Sequence, residues 1–346
     1  MLVEEDFISA SIDVPVCAEN SELVISNVHD GVSYEYNTQR QTWIKIIKLE
    51  TCDRNELSGI LNLISQLQTL SPFRILSQET QVTDDRTPRN TKCCGVFLPQ
   101  SICLKGTDLK IVFPLCPAGS AWDILRPQNV DGGLPEVLVA AIFARAVRCL
   151  NNLHNAGWLH RAICARHLLF CGVAEDSSEL DVAFCGLGSM TPVRPFGSPA
   201  CRNDLPILDA CWRGWHYQNF LDKVFGTHPV AWYSPEVLAQ DFRGYGTPSD
   251  VYSLGLTLGE LFTGISPFIG TISPSTIFLK KLCLKEPLVL PSLPDRPPGP
   301  EIQRIFSLCT DADPRRRPTT EELLQEPWVA AGLSNKLTEE DLTPFR

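Results

Sequence analysis

Short apolar runs alternate with polar turns between residues 21 and 116 of the chain. Runs such as ELVISNV, TWIKIIKLE, GVFLPQSICL and LKIVFPL contain many β-branched and aromatic residues, which is typical of strands. One segment, ELSGILNLISQLQTL at 56–70, has apolar residues at helical spacing instead. The pattern predicts a small, sheet-rich N-terminal unit with one helix.

Beyond Pro117 the apolar residues are spaced for longer helices. In LPEVLVAAIFARAVRCLNNLHNAG, one face can be shared by four of them, namely Leu138, Ile142, Cys149 and Leu153. Gly157 follows this segment as a helix stop. This part of the chain is predicted to form a larger, helical unit.

The sequence therefore predicts an α+β fold with two lobes. Residues 1–20 are an N-terminal extension, 21–116 the small β-rich lobe, 117–333 the large helical lobe, and 334–346 a C-terminal tail. Within the large lobe, 188–229 is rich in Pro, Gly and aromatic residues and has no clear period, which predicts a long surface loop.

Composition narrows the classes of function. At 346 residues with 44% hydrophobic content, the chain can bury a substantial core. Its 40 Asp and Glu against 30 Lys and Arg give a net charge of −10, spread along the chain without a long basic block. This distribution argues against nucleic acid as a partner, because polyanion binding needs a concentrated positive surface.

Fourteen cysteines lie at irregular spacings, without a CxxC pair or histidines at zinc spacing. We interpret them as reduced thiols that fill the core, and we predict no metal site. The start, MLVEEDF, is acidic where a signal peptide is basic, and the apolar run VLVAAIFA ends at Arg145. We therefore expect a soluble protein of the cytoplasm, with the nucleus as an additional location, and without a membrane segment.

The segment WLHRAICARHLLF resembles the catalytic loop of protein kinases, whose pattern HRDxxxxN supplies a base and a metal ligand. His160 and Arg161 match this pattern. Ala162 stands at the position of the catalytic aspartate, and His167 at that of the metal-binding asparagine. Alanine accepts no proton and imidazole is a poor magnesium ligand, so this loop is expected to be degenerate.

Downstream, VAFCGLG occupies the place of the kinase DFG motif. Phe184 stands where that motif has its magnesium-binding aspartate, while Gly186 is kept. A shift of register would let Asp181 serve as the ligand, but Asp181 is followed by Val-Ala and lacks the glycine of the motif. We expect no catalytic residue and no bound metal here.

Two C-terminal stretches carry the resemblance further, AWYSPEVLAQDFRGYGTPSDVYSLGLTLGELFTGISPF and DPRRRPTTEELLQEPWV. They are similar to the kinase APE motif with the helix that follows it, and to the last helix of the kinase domain. The resemblance implies that Glu236 pairs with Arg317 and that Asp250 holds the backbone of the catalytic-loop segment. It also implies structural roles for His160 and Arg161.

In the small lobe, TWIKIIKLE resembles the kinase strand that carries the ATP-binding lysine, here Lys45. PLCPAGSAWDIL resembles the hinge, with Cys116 offering its N–H to adenine and Leu169 forming the pocket floor. Trp43 stands where a small alanine normally lies against adenine. The resemblance implies that no cofactor is required and that ATP binds weakly, without magnesium, or not at all.

Three features make the chain similar to the STE20-related adaptor family of pseudokinases: LETC after the strand lysine, AGSAWDIL at the hinge, and HRAICARHLL in the loop. The resemblance covers about residues 21–330 and implies a two-lobed, protein kinase-like fold. It further implies an inactive adaptor that binds and allosterically activates a Ser/Thr kinase of the liver kinase B type. An armadillo-like scaffold protein is the implied third partner.

Two other functions stay open from the sequence: an active Ser/Thr kinase with displaced catalytic groups, and a passive pseudokinase scaffold. The long loop bears four aromatic residues, Trp212, Trp215, Tyr217 and Phe220. They either pack against the large lobe or contact a partner kinase, because exposed aromatic residues favour interfaces.

Overall fold

The computed structural model describes residues 23–29, 32–37, 42–52, 74–76, 96–99, 101–114, 116, 118–125, 133–172, 179–186, 190–193, 231–239, 246–268, 281, 283 and 288–345. The predicted helix at 56–70 and the N-terminal extension lie outside these residues. So do the loop aromatics Trp212, Trp215, Tyr217 and Phe220. These features stay predictions.

Six strands form one sheet in the order β1-β2-β3-β6-β5-β4, antiparallel except between β4 and β5. In chain order they are β1 Leu23–His29, β2 Val32–Asn37, β3 Thr42–Lys48, β4 Arg74–Leu76, β5 Ser101–Lys105 and β6 Asp108–Pro114. Isoleucine and valine recur in these strands, as suits a pleated, half-buried surface. The sheet corresponds to the β-rich unit that the sequence predicts.

The register between β3 and β6 determines which residues share the buried face of the sheet. Lys45 lies opposite Ile111, and Ile47 lies opposite Leu109, so these four residues point to the same side. Ile47, Leu109 and Ile111 form an apolar cluster with Ile102 of β5. Lys45 is on the cluster's face and is only 8% exposed.

The C-terminal part of the described chain is mainly helical. Its helices are α1 Ala121–Ile124, α2 Glu136–Asn155, α3 Pro235–Leu238, α4 Thr247–Thr263, α5 Pro300–Cys309, α6 Thr320–Gln325, α7 Pro327–Ser334 and α8 Glu339–Leu342. Two small sheets accompany them, β7 Trp158–Leu159 with β10 Thr191–Pro192 and β8 Leu168–Gly172 with β9 Leu180–Phe184. Sheet and helices together confirm the α+β class.

Helix α2 is the central helix of this unit, as its apolar spacing predicts. Gly332 of α7 lies close to the backbone of this helix. A Cβ added at Gly332 would lie 2.3 Å from the carbonyl oxygen of Ala140. Among the described residues it is the one helix whose length and composition would let it cross a membrane, and 67% of its most apolar window is buried inside the protein. That burial is what a core helix requires.

Helix α4 carries two acidic residues into the core. Asp250 and Glu260 are each 1% exposed. Pro248 lies in the first turn, where its missing N–H breaks no helical hydrogen bond. Because a buried carboxylate is unstable without donors, both residues must be held by polar groups from neighbouring segments. Those groups belong to the candidate site.

The segment 334–346, predicted as a tail, packs onto the helical unit. Leu337 and Leu342 are 0% exposed and belong to the main core. The N–H of Leu180 donates to the carbonyl oxygen of Leu337 at 2.7 Å, which joins the segment to β9. The described part of the predicted tail, up to residue 345, thus contributes two side chains to the main core. Two isolated leucines among polar residues form no readable period, which is why the pattern hid this contact.

The predicted loop at 188–229 contains regular structure near its start. Thr191 pairs with Leu159, and Pro192 with Trp158, to make the two-stranded β7–β10 sheet. Two residues are too few to produce an alternating pattern in the sequence. Residues 194–230 lie outside the described part of the chain, so the rest of the loop stays a prediction.

Candidate functional site

Asp250 anchors the backbone of the segment that resembles a catalytic loop. The N–H groups of His160 and Arg161 each donate to its carboxylate at 2.8 Å, and His154 Nε2 lies 3.0 Å from it. Burial alone would raise the pKa of Asp250, but the hydrogen bond and charge of His154, with contributions from His160, outweigh burial and lower that pKa. The carboxylate therefore stays ionised, and the loop turns over it with Arg161 at φ 69°.

His160 joins this loop to the segment after β9. It is 0% exposed, and its Nε2 donates to the carbonyl oxygen of Cys185 at 2.8 Å, while the N–H of Ala162 lies 3.3 Å from its Nδ1. Burial lowers the pKa of His160 to about 4, although Asp250 acts in the opposite direction. The ring is accordingly neutral near pH 7 and cannot serve as a cationic acid.

Ala162 and His167, which the resemblance places at the positions of the kinase base and metal ligand, bond to each other. His167 Nδ1 lies 2.5 Å from the carbonyl oxygen of Ala162, so Nδ1 carries the proton. It therefore cannot activate the Cys164 thiol, although Sγ lies only 3.5 Å away. The ring packs on Gly186, where φ is 78° and an added Cβ would meet the imidazole at 3.0 Å. The described residues contain no group of three or more His, Cys, Asp or Glu that could hold a metal.

Phe184 points away from the cleft side of the β8–β9 sheet. It pairs with Leu168, and both side chains enter the main core at 0% exposure. The Phe184 ring centroid lies 5.0 Å from that of His160. The N–H of Phe97 donates to the Phe184 carbonyl oxygen at 2.7 Å, which ties the region before β5 to the end of β9. The phenyl ring thus fills core volume at the position that the resemblance assigns to a metal ligand.

Asp181, the alternative metal ligand, is engaged elsewhere. Its Oδ1 lies 2.6 Å from Arg148 Nη2 of α2 and accepts the N–H of Val182 at 2.9 Å. Arg148 is about half-exposed, so the pair lies at the outer side of the helical unit. The register shift that would make Asp181 a magnesium ligand has no support in this geometry.

Two of the residues predicted to bind nucleotide, Cys116 and Leu169, belong to an apolar cluster, which we call the cleft cluster. Its members are Phe97, Phe113, Cys116, Leu169, Cys171, Ala183 and Cys185. Phe97 stacks on Phe113 with ring centroids 5.8 Å apart, and Leu169 is only 4% exposed. Protein side chains therefore cover the predicted pocket floor. Trp43 pairs with Phe113 across β3 and β6, on the same face as Lys45.

Glu236 and Arg317 form the ion pair that the resemblance implies. Arg317 Nη1 lies 2.6 Å from Glu236 Oε1, and Nη2 lies 2.9 Å from Oε2, so the contact is bidentate. The Arg317 side chain is 0% exposed and its Nη1 also donates to the carbonyl oxygen of Pro248 at 2.9 Å. Ser249 Oγ donates to Glu236 at 2.8 Å. The pair fixes α3 against the start of α4.

Sequence reasoning missed two buried charged residues. Glu260 Oε2 accepts the N–H of Ala165 at 3.0 Å and lies 3.2 Å from Trp232 Nε1, and burial raises the pKa of this carboxyl to about 7. Lys281 Nζ donates to the carbonyl oxygens of Ala231 and Tyr233 at 2.5 and 2.6 Å, and burial lowers the pKa of its ammonium. Both hold the 231–239 segment in place. For Glu260, a lone charge in the apolar run SLGLTLGELF was the available signal.

Two contacts agree with those that the resemblance to protein kinases implies. Asp250 holds the HR-containing loop from below, and Glu236 of the APE-type segment pairs with Arg317. Consistent with this class, residues 209–329 match the protein kinase domain family.

Several curated proteins are similar to the chain over longer stretches. It is 31% identical to human STE20-related kinase adapter protein beta over 225 residues, 65% of this chain and 43% of that protein. It is 28% identical to the bovine STE20-related kinase adapter protein alpha over 190 residues, 54% and 44% of the two chains. Serine/threonine-protein kinase KIC1 of Saccharomyces cerevisiae is 26% identical over 311 residues, 89% of this chain and 23% of that kinase.

These matches confirm the resemblance to protein kinases, which the family match shows over residues 209–329, and to STE20-related kinase adapters. The chain spans less than half the length of these curated relatives.

Proposed function

We propose that this protein is a catalytically inactive, two-lobed kinase-like adaptor that binds and allosterically activates a Ser/Thr kinase of the liver kinase B type. The observation that carries the proposal is the direct bond between Ala162 and His167, at the positions of the kinase base and metal ligand. The Ala162 side chain offers no proton acceptor, and His167 uses its Nδ1 to hold the loop.

Phosphoryl transfer needs an oriented hydroxyl, a proton acceptor and metal-borne charge neutralisation. A general base contributes about 10²- to 10⁴-fold to such reactions. Magnesium requires oxygen ligands in near-octahedral geometry, and the Phe184 ring supplies none. The combined loss supports a protein without transferase activity.

The retained parts support a binding role. The Asp250 anchor and the Glu236–Arg317 clamp hold the helical unit rigid without contributing to chemistry. A rigid surface can favour the active conformation of a partner by binding that conformation more tightly. Two of the relatives are named kinase adapters. An armadillo-like scaffold is the proposed third member of the assembly. The proposed location of the protein is the cytoplasm, with the nucleus as an additional location.

The adaptor requires no cofactor in this proposal. ATP, where it binds, does so through backbone groups near Cys116 and beside Lys45, without magnesium. Tight binding is disfavoured because Leu169 is already buried, with only 4% of its surface exposed, in the same cluster as the Phe97–Phe113 stack. A nucleotide would have to displace these contacts.

The first test combines a radiolabel transfer assay with thermal-shift titrations of ATP, with and without magnesium. We expect no label transfer and no magnesium-dependent shift. Magnesium-dependent phosphorylation that is lost in Lys45→Ala would contradict the proposal. It would favour the second candidate, an active Ser/Thr kinase, which the name of the KIC1 relative and the buried Lys45 support.

The second test mixes the protein with a liver kinase B type enzyme and measures that enzyme's rate. We expect the rate to rise, and Trp212→Ala with Trp215→Ala to weaken the effect if the long loop is the contact. Val137→Ala, at an exposed site on α2, is the matched surface control. Binding without any change in rate would favour a passive scaffold instead.

A further inference from the structure

Two cysteines from distant parts of the chain lie side by side where the sheet meets the helical unit. Sγ of Cys116 is 3.4 Å from Sγ of Cys171, although 55 positions separate them. Cys116 lies just beyond β6, in the hinge segment, and Cys171 lies within β8. Both are free thiols of intermediate exposure. The fold therefore creates a dithiol that the sequence does not reveal.

The surroundings hold the two sulfurs in contact and keep Cys116 protonated. Both cysteines belong to the cleft cluster, next to Leu169 and Phe113. The hydrogen bond with Cys171, followed by burial, raises the pKa of Cys116 well above its usual value. Cys116 is therefore a thiol near pH 7, which slows its reaction but leaves the sulfur–sulfur approach intact.

Other described cysteines are held differently. Cys149 Sγ donates to the carbonyl oxygen of Val182 at 2.8 Å, and Cys164 Sγ lies 3.5 Å from His167 Nδ1. Cys283 is exposed. These residues provide natural controls for a reaction that needs two adjacent sulfurs.

We propose that Cys116 and Cys171 form an oxidisable dithiol site, which a peroxide converts into a disulfide between the hinge segment and β8. Cys171 releases its proton, and its thiolate attacks one oxygen of hydrogen peroxide; the O–O bond breaks, a sulfenic acid forms, and the departing hydroxide takes up the released proton to become water. Sγ of Cys116 then attacks the Cys171 sulfur, the S–S bond forms, and the hydroxyl group leaves with the Cys116 proton as a second water. One peroxide is reduced to two waters, and two thiols are oxidised. The sulfurs have to approach from 3.4 Å to about 2.05 Å.

The disulfide would restrain the cleft. It ties the backbone at Cys116, whose N–H is the predicted adenine donor, to the strand that carries Leu169. The two sides of the predicted nucleotide site would then be covalently joined. Oxidation is expected to stabilise the fold and to weaken any nucleotide binding, whether or not the adaptor proposal holds.

The test treats the full chain with one equivalent of hydrogen peroxide, blocks free thiols with N-ethylmaleimide, and maps unreduced peptides by mass spectrometry. We expect a Cys116–Cys171 linked peptide that dithiothreitol removes, and a rise in Tm of about 3 to 8 °C. C116S and C171S should each lose the linked peptide and the Tm rise. C283S should keep both.

A second measurement tests proximity without oxidation. Phenylarsine oxide, which bridges neighbouring thiols, should protect both cysteines from N-ethylmaleimide in the wild type but not the remaining one in C116S or C171S. The proposal is overturned if Cys171 stops at a sulfenic or sulfonic acid without a link. It is equally overturned if C116S retains the same loss of two thiols and the same Tm rise.

Discussion

Replacing Arg317 by methionine removes the guanidinium of the Glu236–Arg317 clamp and keeps much of its apolar stem. The wild-type contact comprises two charge-assisted bonds of 2.6 and 2.9 Å, with further donation to the carbonyl oxygens of Pro248 and Asp311 at 2.9 and 2.7 Å. The substitution leaves the Glu236 carboxylate, 7% exposed, with Ser249 Oγ as a remaining donor.

The expected loss in unfolding free energy is about 3–5 kcal/mol, because the removal of one partner strands a buried charge. Urea denaturation followed by circular dichroism measures it. Arg304→Met is the matched control: Arg304 also contacts a carboxylate, Glu326, but its side chain is 40% exposed. An exposed pair contributes about 0–1 kcal/mol. Equal losses in the two variants would refute the reasoning, as would a loss below about 1 kcal/mol for Arg317→Met.

A second substitution identifies the cause of the loss. Glu236→Gln in the Arg317→Met background neutralises the stranded carboxylate and keeps an oxygen that can accept from Ser249. If the unpaired charge dominates, the double variant should recover about 1–2 kcal/mol relative to Arg317→Met. No recovery would mean that the lost bonds to backbone carbonyls account for the effect.

Three further predictions concern other buried positions. Burial raises the pKa of Glu260 from 4.5 to about 7, so the folded protein binds this proton more tightly than the unfolded chain. The resulting contribution to the unfolding free energy is complete below pH 4.5 and is lost as the pH rises through 7. In urea denaturation, the unfolding free energy of Glu260→Gln should therefore rise by about 3 kcal/mol relative to wild type between pH 4.5 and 8, and a constant difference would contradict this. Leu342→Ala should lose about 2–4 kcal/mol, against under about 0.5 for Val137→Ala at 69% exposure. Gly186→Ala, at φ 78° and against the His167 ring, should lower Tm.

The features that sequence reasoning anticipated are local. Helix α2, the β3 strand and the loop around His160 each depend on continuous spacing or on one contiguous motif. The Glu236 and Asp250 contacts followed from family resemblance rather than from periodicity. Both kinds of inference need only a short stretch of chain.

The features that it missed depend on contacts between distant segments. Phe97 stacks on Phe113, and Cys116 meets Cys171, only after the sheet docks on the helical unit. Lys281 gives no sign in the sequence that its ammonium will be buried against two carbonyl oxygens. Such contacts leave no period, so pattern analysis cannot detect them.

The positions that the resemblance marks as degenerate, Ala162, His167 and Phe184, take part in the packing of the surrounding residues. The Phe184 ring is 0% exposed and lies 5.0 Å from the His160 ring, so an aspartate there would place a carboxylate in apolar surroundings at a cost of several kcal/mol. The His167 ring fills the space against Gly186 and bonds to Ala162. Restoring kinase residues at these positions would therefore destabilise the core before it could recruit a metal. Such packing at these positions is compatible with the proposed function through a fixed binding surface.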